Sequence, residues 1–277
     1  MSKVAFITGA SRGIGRAAAL AFAGAGFDVA ISARTLDEGE QHPHALRDAS
    51  GAPLPGSLNG TADAIRALGR KALVVPMDLL DSDSALAACR TVLAEFGRID
   101  VLINNAIYQG SDLNAGFMEL QADTLERMFK GYILTPFLLT RAVAQVMAER
   151  GGGVVINVTS GAGESDPPVA AGKGGWGYAY GAGKAAVSRL SGIVAVELGD
   201  AGVCAYTLNP GVVTTDALKA TIGDKGLIAL RAGSAPPEVP AAVMLWLATD
   251  PRAPAYQRQT IAAQPFALDQ SVVPDWR

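Results

Sequence analysis

Short apolar runs alternate along this chain with longer stretches in which apolar residues recur at helical spacing. Val4–Ile7, Val29–Ser32, Ala72–Pro76, Val101–Asn104, Val154–Val158 and Val203–Leu208 lack the alternation of a half-exposed strand and read as strands buried on both faces. Gly13–Ala25, Leu58–Leu68, Ser82–Phe96, Thr124–Arg150, Tyr178–Leu198 and Pro237–Leu247 read as helices. Strand-helix alternation predicts an α/β fold, a doubly wound parallel sheet of the Rossmann type. Residues 1–277 read as one domain with a long loop at 35–57 and a divergent extension at 251–277. Pro136 predicts a kink or a break within Thr124–Arg150. A late run, Thr260–Ala267, predicts an edge strand.

In such a sheet ligands bind beyond the carboxyl ends of the strands. The polar and glycine-bearing positions gather there: Gly9, Arg34, Asp78, Asn104 with Asn105, Ser160, and Pro210 with Gly211 each follow a predicted strand. The first strand runs into Thr8-Gly9-Ala10-Ser11-Arg12-Gly13-Ile14-Gly15 and then a helix. Glycine allows close backbone approach, and a helix N-terminus offers unpaired N–H groups and partial positive charge, so the order makes a phosphate cradle. Gly13, Gly15 and Ala18 fit dinucleotide spacing with Ala in the third place.

Tyr180 and Lys184 stand four apart, one helical turn, on a shared face. An ammonium beside a phenol favours the phenolate, so the pair suits proton exchange with a carbonyl or an alcohol. Alone it could equally be a surface pair.

Composition narrows the partners. Apolar residues make up 49% of the 277 and charged residues 18%, with a formal net charge of -3, so no basic run invites nucleic acid. Cys89 and Cys204 read as small core residues without metal-ligand spacing, His42 and His44 as exposed loop residues, and no metal site is expected. No run approaches a membrane span, and a cleavable leader would overlap the glycine turn, so the expectation is a cytoplasmic protein away from membranes. Thr35–Ser57 reads either as a cover over the adenosine end of a cofactor or as a surface insertion. Gly161–Gly177 is expected to border a substrate pocket.

Together these residues resemble the short-chain dehydrogenase/reductase family over roughly residues 3–250. The resemblance rests on the glycine turn, Asp78-Leu79, Asn104-Asn105-Ala106, Ser160 with Tyr180 and Lys184, and Asn209-Pro210-Gly211 with Val213 and Thr215. It implies hydride transfer between a nicotinamide and a carbonyl/alcohol pair. Ser160, Tyr180 and Lys184 are then catalytic. Gly9, Ser11, Arg12, Gly13, Ile14, Gly15, Arg34, Asp78, Leu79, Asn105, Ala106, Pro210, Gly211, Val213 and Thr215 bind the cofactor with Tyr180 and Lys184. Thr159 could serve as a strand-end hydroxyl as well as Ser160; the family pattern favours Ser160. Strand two ends in Ala33-Arg34-Thr35 without an acid, and Arg12 sits in the glycine turn close by. Two guanidinium groups suit a 2′-phosphate, which predicts NADP(H) over NAD(H), although Asp37 and Glu38 follow.

The chain departs from the family pattern at three points. Tyr132 stands where many members carry an Asn, Ile107 stands where a glycine is expected, and the Ser160–Tyr180 interval is long. The expected partner is a small carbonyl or alcohol, in a pocket lined by parts of Ile107–Asn114, Gly161–Gly177 and Ala217–Leu230. Tyr108, Trp176, Leu218 and Leu227 suggest that this pocket has an apolar component. The resemblance also implies a homo-oligomer, tetramer or dimer, built on the two long helices. Competing readings are a non-catalytic nicotinamide-nucleotide sensor or structural protein, and a nucleotide-sugar epimerase or dehydratase, for which the chain after Gly211 looks short.

Overall fold

The computed structural model describes residues 2–220 and 233–276. Seven parallel strands form one sheet in the order β3-β2-β1-β4-β5-β6-β7. They are β1 (Val4–Thr8), β2 (Asp28–Ala33), β3 (Ala72–Pro76), β4 (Val101–Asn104), β5 (Gly153–Val158), β6 (Val203–Asn209) and β7 (Thr260–Ala262). β1 and β4 are buried at every position: their apolar residues fill the core, and the closing Thr8 and Asn104 are hydrogen-bonded there. The strand order reverses between β1 and β4, which opens a crevice at their carboxyl ends.

Helices α1 (Gly13–Gly24), α2 (Leu58–Ala67), α3 (Ser82–Phe96), α4 (Ala122–Met128), α5 (Thr135–Glu149), α6 (Tyr178–Glu197), α7 (Glu238–Thr249) and α8 (Ala263–Asp269) accompany the sheet. One apolar cluster joins Phe22 on α1 and Val243 on α7 to Ile7 and Ile31. The other joins Val92 on α3 and Leu139 on α5 to Phe6 and Leu102. Neighbouring strand residues such as Phe6 and Ile7 therefore feed opposite cores, which is why neither can be polar.

The expected irregularity within Thr124–Arg150 is a π turn, Phe129–Leu134, joining α4 to α5; Pro136, just after it, lacks the N–H that would bond the carbonyl of Tyr132 four residues back within that turn. One expectation needs correction. The run Thr260–Ala267 is a strand for three residues only; Pro265 falls in the first turn of α8, and the chain turns helical from Ala263. The continuous stretch Ala122–Glu149 is long and apolar enough to cross a membrane by length and composition, yet half of its most apolar window is buried within the fold. Cys89 is buried and Cys204 only partly so; both are free. Of the expected pocket wall, 221–230, with Leu227, lies outside the described residues.

Candidate active site

The glycine turn is shaped by contact as well as by conformation. Gly9 has φ +70°, and a Cβ there would lie 2.8 Å from Asn105 Nδ2. A Cβ on Gly15 would strike the carbonyl of Gly9 and lie 2.6 Å from the same amide. Asn105 holds this geometry: its Nδ2 donates to the carbonyls of Thr8 (3.0 Å) and Gly9 (3.2 Å). Thr8 Oγ1 returns the link by accepting from the N–H groups of Asn105 (3.1 Å) and Ala106 (3.0 Å). Asn105 thus fastens β4 to the turn after β1.

α1 begins at Gly13 with no side chain capping it and no acid in its first turn, so its leading N–H groups are available to an anion. A cleft of about 200 Å³ opens there, between Gly13, Arg16 and Ala17 on one wall and Thr214, Thr215 and Asp216 on the other. Thr215 reaches the turn itself, since a Cβ on Gly13 would lie 3.3 Å from Thr215 Cγ2. The cradle, its open donors and this cleft fit a dinucleotide pyrophosphate.

The other expected cofactor residues spread along the rim. Ser11 is buried and Ile14 packs on the core. Asp78 Oδ1 accepts from the N–H of Leu80 (2.9 Å), and buried Leu79 gives its carbonyl to Thr135 Oγ1 (2.8 Å). After β6, Gly211 turns with φ +71°, and Val213 bridges to Ala235. Gln264 on α8 clamps this segment, its Nε2 donating to the carbonyls of Pro210 (3.2 Å) and Val212 (2.7 Å). Sequence reasoning missed Gln264, which lay inside the presumed edge strand.

The two arginines meet the long loop. Arg12 Nη2 donates to Gly56 O (3.1 Å) and approaches Thr35 Oγ1 (3.4 Å), while its buried Nε has no hydrogen-bond partner. Burial lowers the pKa of Arg12, Glu38 and Asp216 support its charge, and Arg34 opposes it. Arg34 Nη1 donates to Pro43 O (2.9 Å). His44 meets the ring of Tyr108 edge-on at 6.2 Å, so the loop reaches from the end of β2 to the segment after β4.

Ser160, Tyr180 and Lys184 converge at the ends of β5 and α6. Ser160 follows β5 and caps the short turn after it, its Oγ accepting from the N–H of Ala162 (3.3 Å), and it stands near enough to the Tyr180 phenol to influence its ionisation. Burial pushes the Tyr180 phenol above its ordinary value, and the neighbouring Ser160 hydroxyl works against that rise. Lys184 is 3% exposed; its Nζ donates to Val158 O at 2.8 Å and lies 5.7 Å from the centre of the Tyr132 ring. Burial brings the Lys184 pKa down to about 7. Thr159 turns the other way, its hydroxyl bonded to Ser188 Oγ (2.7 Å) and to the Lys184 carbonyl (3.1 Å), so it fixes α6 on β5. Beneath them, Asn104 Nδ2 donates to Asn157 Oδ1 and Thr140 Oγ1, both at 2.8 Å, and Asn157 Nδ2 donates to Ser191 Oγ at 2.8 Å. This buried network ties β4, β5, α5 and α6 under the site, and sequence reasoning also missed it.

Known proteins resemble this chain in sequence and fold. A family model for short chain dehydrogenases matches residues 3–56 and 55–225. The 3-oxoacyl-(acyl-carrier-protein) reductase of Synechocystis sp. is 31% identical over 274 residues, covering 98% of this chain and 97% of that protein. The chain belongs to the short-chain dehydrogenase family. Among solved structures, acetoin dehydrogenase from Enterobacter cloacae is 28% identical with TM-score 0.73, covering 95% of this chain and 94% of that one. A 7α-hydroxysteroid dehydrogenase complexed with NADH and 7-oxo glycochenodeoxycholic acid is 27% identical with TM-score 0.75, covering 95% and 93%. As a short-chain dehydrogenase the protein is an oxidoreductase of alcohol and carbonyl groups that works with a nicotinamide cofactor.

Proposed function

We propose that this short-chain dehydrogenase is an NADP(H)-dependent oxidoreductase of a small carbonyl or secondary alcohol, with Tyr180 as its acid/base and Ser160 and Lys184 beside it. The observation that carries the reading is the convergence of Ser160, Tyr180 and buried Lys184 on one rim with an open helix N-terminus. Bound nicotinamide supplies or accepts the hydride. Ser160 hydrogen-bonds the substrate oxygen and stabilises charge on it. Tyr180 gives that oxygen a proton in reduction or takes one in oxidation. Lys184, held at the Val158 carbonyl, favours the phenolate when charged and is placed to meet the nicotinamide ribose. A raised Tyr180 pKa keeps the proton in place at neutral pH, which suits reduction.

Arg12 and Arg34 support NADP(H), because the unpartnered buried Nε of Arg12 is a donor in need of an acceptor and each guanidinium offers directed donors to a phosphate. Ser11, Ile14, Asp78, Leu79, Asn105, Ala106, Pro210, Gly211, Val213 and Thr215 complete the proposed cofactor site, Asn105 by shaping the turn. Unpaired cysteines suit a cytoplasmic setting, and exposed Ile193 and Val196 on α6 with Phe137 on α5 suit self-association. We take residues 1–277 to act as a single unit.

A carbonyl screen with NADPH, followed at the nicotinamide absorbance, tests the activity. Turnover lost in Tyr180→Phe supports it; tight NADPH binding without turnover on any substrate points instead to a sensor. Arg34→Asp should weaken NADPH binding about 10- to 100-fold, the loss expected for one charge-assisted contact, while leaving NADH within a few-fold. An equal loss for both cofactors sinks the NADP(H) assignment.

A further inference from the structure

Tyr132 is 1% exposed beside the site, and none of the roles above uses it. It stands in the π turn, a rare geometry that often marks functional positions. Its ring lies against α6 where that helix has no side chain: a Cβ on Gly183 would sit 2.7 Å from Tyr132 Cδ1 and 2.8 Å from Cγ. The same ring meets Tyr180 edge-on at 6.5 Å and has the Lys184 ammonium 5.7 Å from its centre. The adjoining Gly131 makes room in turn for Tyr108, since its Cβ would lie 2.6 Å from Tyr108 Cβ. Tyr108 is pinned by Asp112 (2.8 Å) and by Arg127 Nε (3.0 Å), which backs the group with a fixed wall. The Tyr132 hydroxyl is buried without a hydrogen-bond partner.

We propose that Tyr132 is a positioning residue for Lys184: its ring, admitted by the missing side chain at Gly183, keeps water from the ammonium and holds it at the Val158 carbonyl. The inference rests on the reading of Lys184 as part of the active site. A ring face attracts a cation, and the attraction strengthens when water is absent. The hydroxyl meets nothing in the protein, so the ring does the holding. The titratable groups packed at this spot are Tyr132 from the π turn, Tyr180 from Lys184's own helix and, behind Tyr132, Tyr108. β5 presents the Val158 carbonyl to the ammonium, and the Thr159 hydroxyl just after it holds the Lys184 main-chain carbonyl.

Two substitutions separate ring from hydroxyl. Tyr132→Phe should keep kcat within about 3-fold and the pH profile unchanged, and should not lower thermal stability, because removing an orphan hydroxyl is neutral or favourable. Tyr132→Asn should lower kcat about 10-fold or more, with KM for the carbonyl within about 3-fold, because the ammonium becomes hydrated and loosely held. In cofactor-free protein carrying ¹³Cε-labelled lysine, the Lys184 titration midpoint should stay put in Tyr132→Phe and rise by about one unit or more in Tyr132→Asn. Gly183→Ala should impair kcat alone and recover part of that loss when combined with Tyr132→Asn. The proposal is overturned if Tyr132→Phe is as damaged as Tyr132→Asn, or if folded Tyr132→Asn keeps both the wild-type kcat and the lysine midpoint. The titration needs no substrate, so it still judges Tyr132 if the wild-type protein turns over nothing.

Discussion

Lys184 shows what the site demands of individual residues. A free lysine titrates at about 10.5 and the buried one at about 7, so the unfolded chain binds the extra proton between those values. Stability of the cofactor-free protein therefore rises with pH across that window, and the full penalty of burying the charge is felt below it. Lys184→Met should raise the melting temperature at pH 7 by several degrees while ending turnover, although it strands the Val158 carbonyl. The difference between the two proteins should shrink toward about pH 10, the range of an ordinary lysine; parallel melting profiles would refute the assignment. Tyr180 adds a second pH signature. Because burial raises its pKa, alcohol oxidation should climb with alkaline pH and carbonyl reduction should fall there, as read from initial rates in each direction. The Tyr180 and Lys184 pair was legible because its spacing is a local fact of the chain, whereas Ser160 was singled out only by the family pattern. The burial of Tyr132 and the clamp from Gln264 were not legible, since each depends on a partner distant in sequence: Gly183 for one, the Pro210 and Val212 carbonyls for the other.

At the level of elements, apolar runs located the strands well, because a strand covered on both faces is mostly apolar and admits a polar residue only where it is hydrogen-bonded, as Asn104 and Asn157 are. β2 simply extends one residue further at each end than its most apolar core. The pattern failed where two structures share a composition. Thr260–Ala267 is apolar enough for a strand, yet a proline suits the first turn of a helix, and α8 forms. The π turn has no periodicity of its own; only Pro136, just downstream, marked that the helix would be interrupted. Buried polar ties between elements are also invisible to such patterns. Asn157→Ala would leave Asn104 Nδ2 and Ser191 Oγ each short of a partner in the core. A loss of about 2–4 kcal/mol is expected from such a cut, measured by denaturant unfolding. A loss under about half a kcal/mol would show that the network does not hold the helices to the sheet.

For the whole molecule, the doubly wound parallel sheet and the placement of polar residues after its strands followed from the alternation of elements, and the sheet in the described residues has the reversal between β1 and β4 that such folds use. What the chain does with its outer surface was not legible, because Ala-rich helix faces look alike whether they meet the core or another copy. Ile193 and Val196 are 56% and 67% exposed on α6. Replacing both with Glu should convert an oligomer to monomers, as followed by light scattering with size-exclusion chromatography, without loss of helix content. A wild-type protein that already runs as a monomer would remove the self-association proposal.

Gln264 lies more than fifty positions beyond the turn it braces, so a stretch of polypeptide far along the chain fixes the shape of the loop proposed to meet the nucleotide. Trimming back from the far end should blunt affinity for the dinucleotide well before the sheet itself gives way.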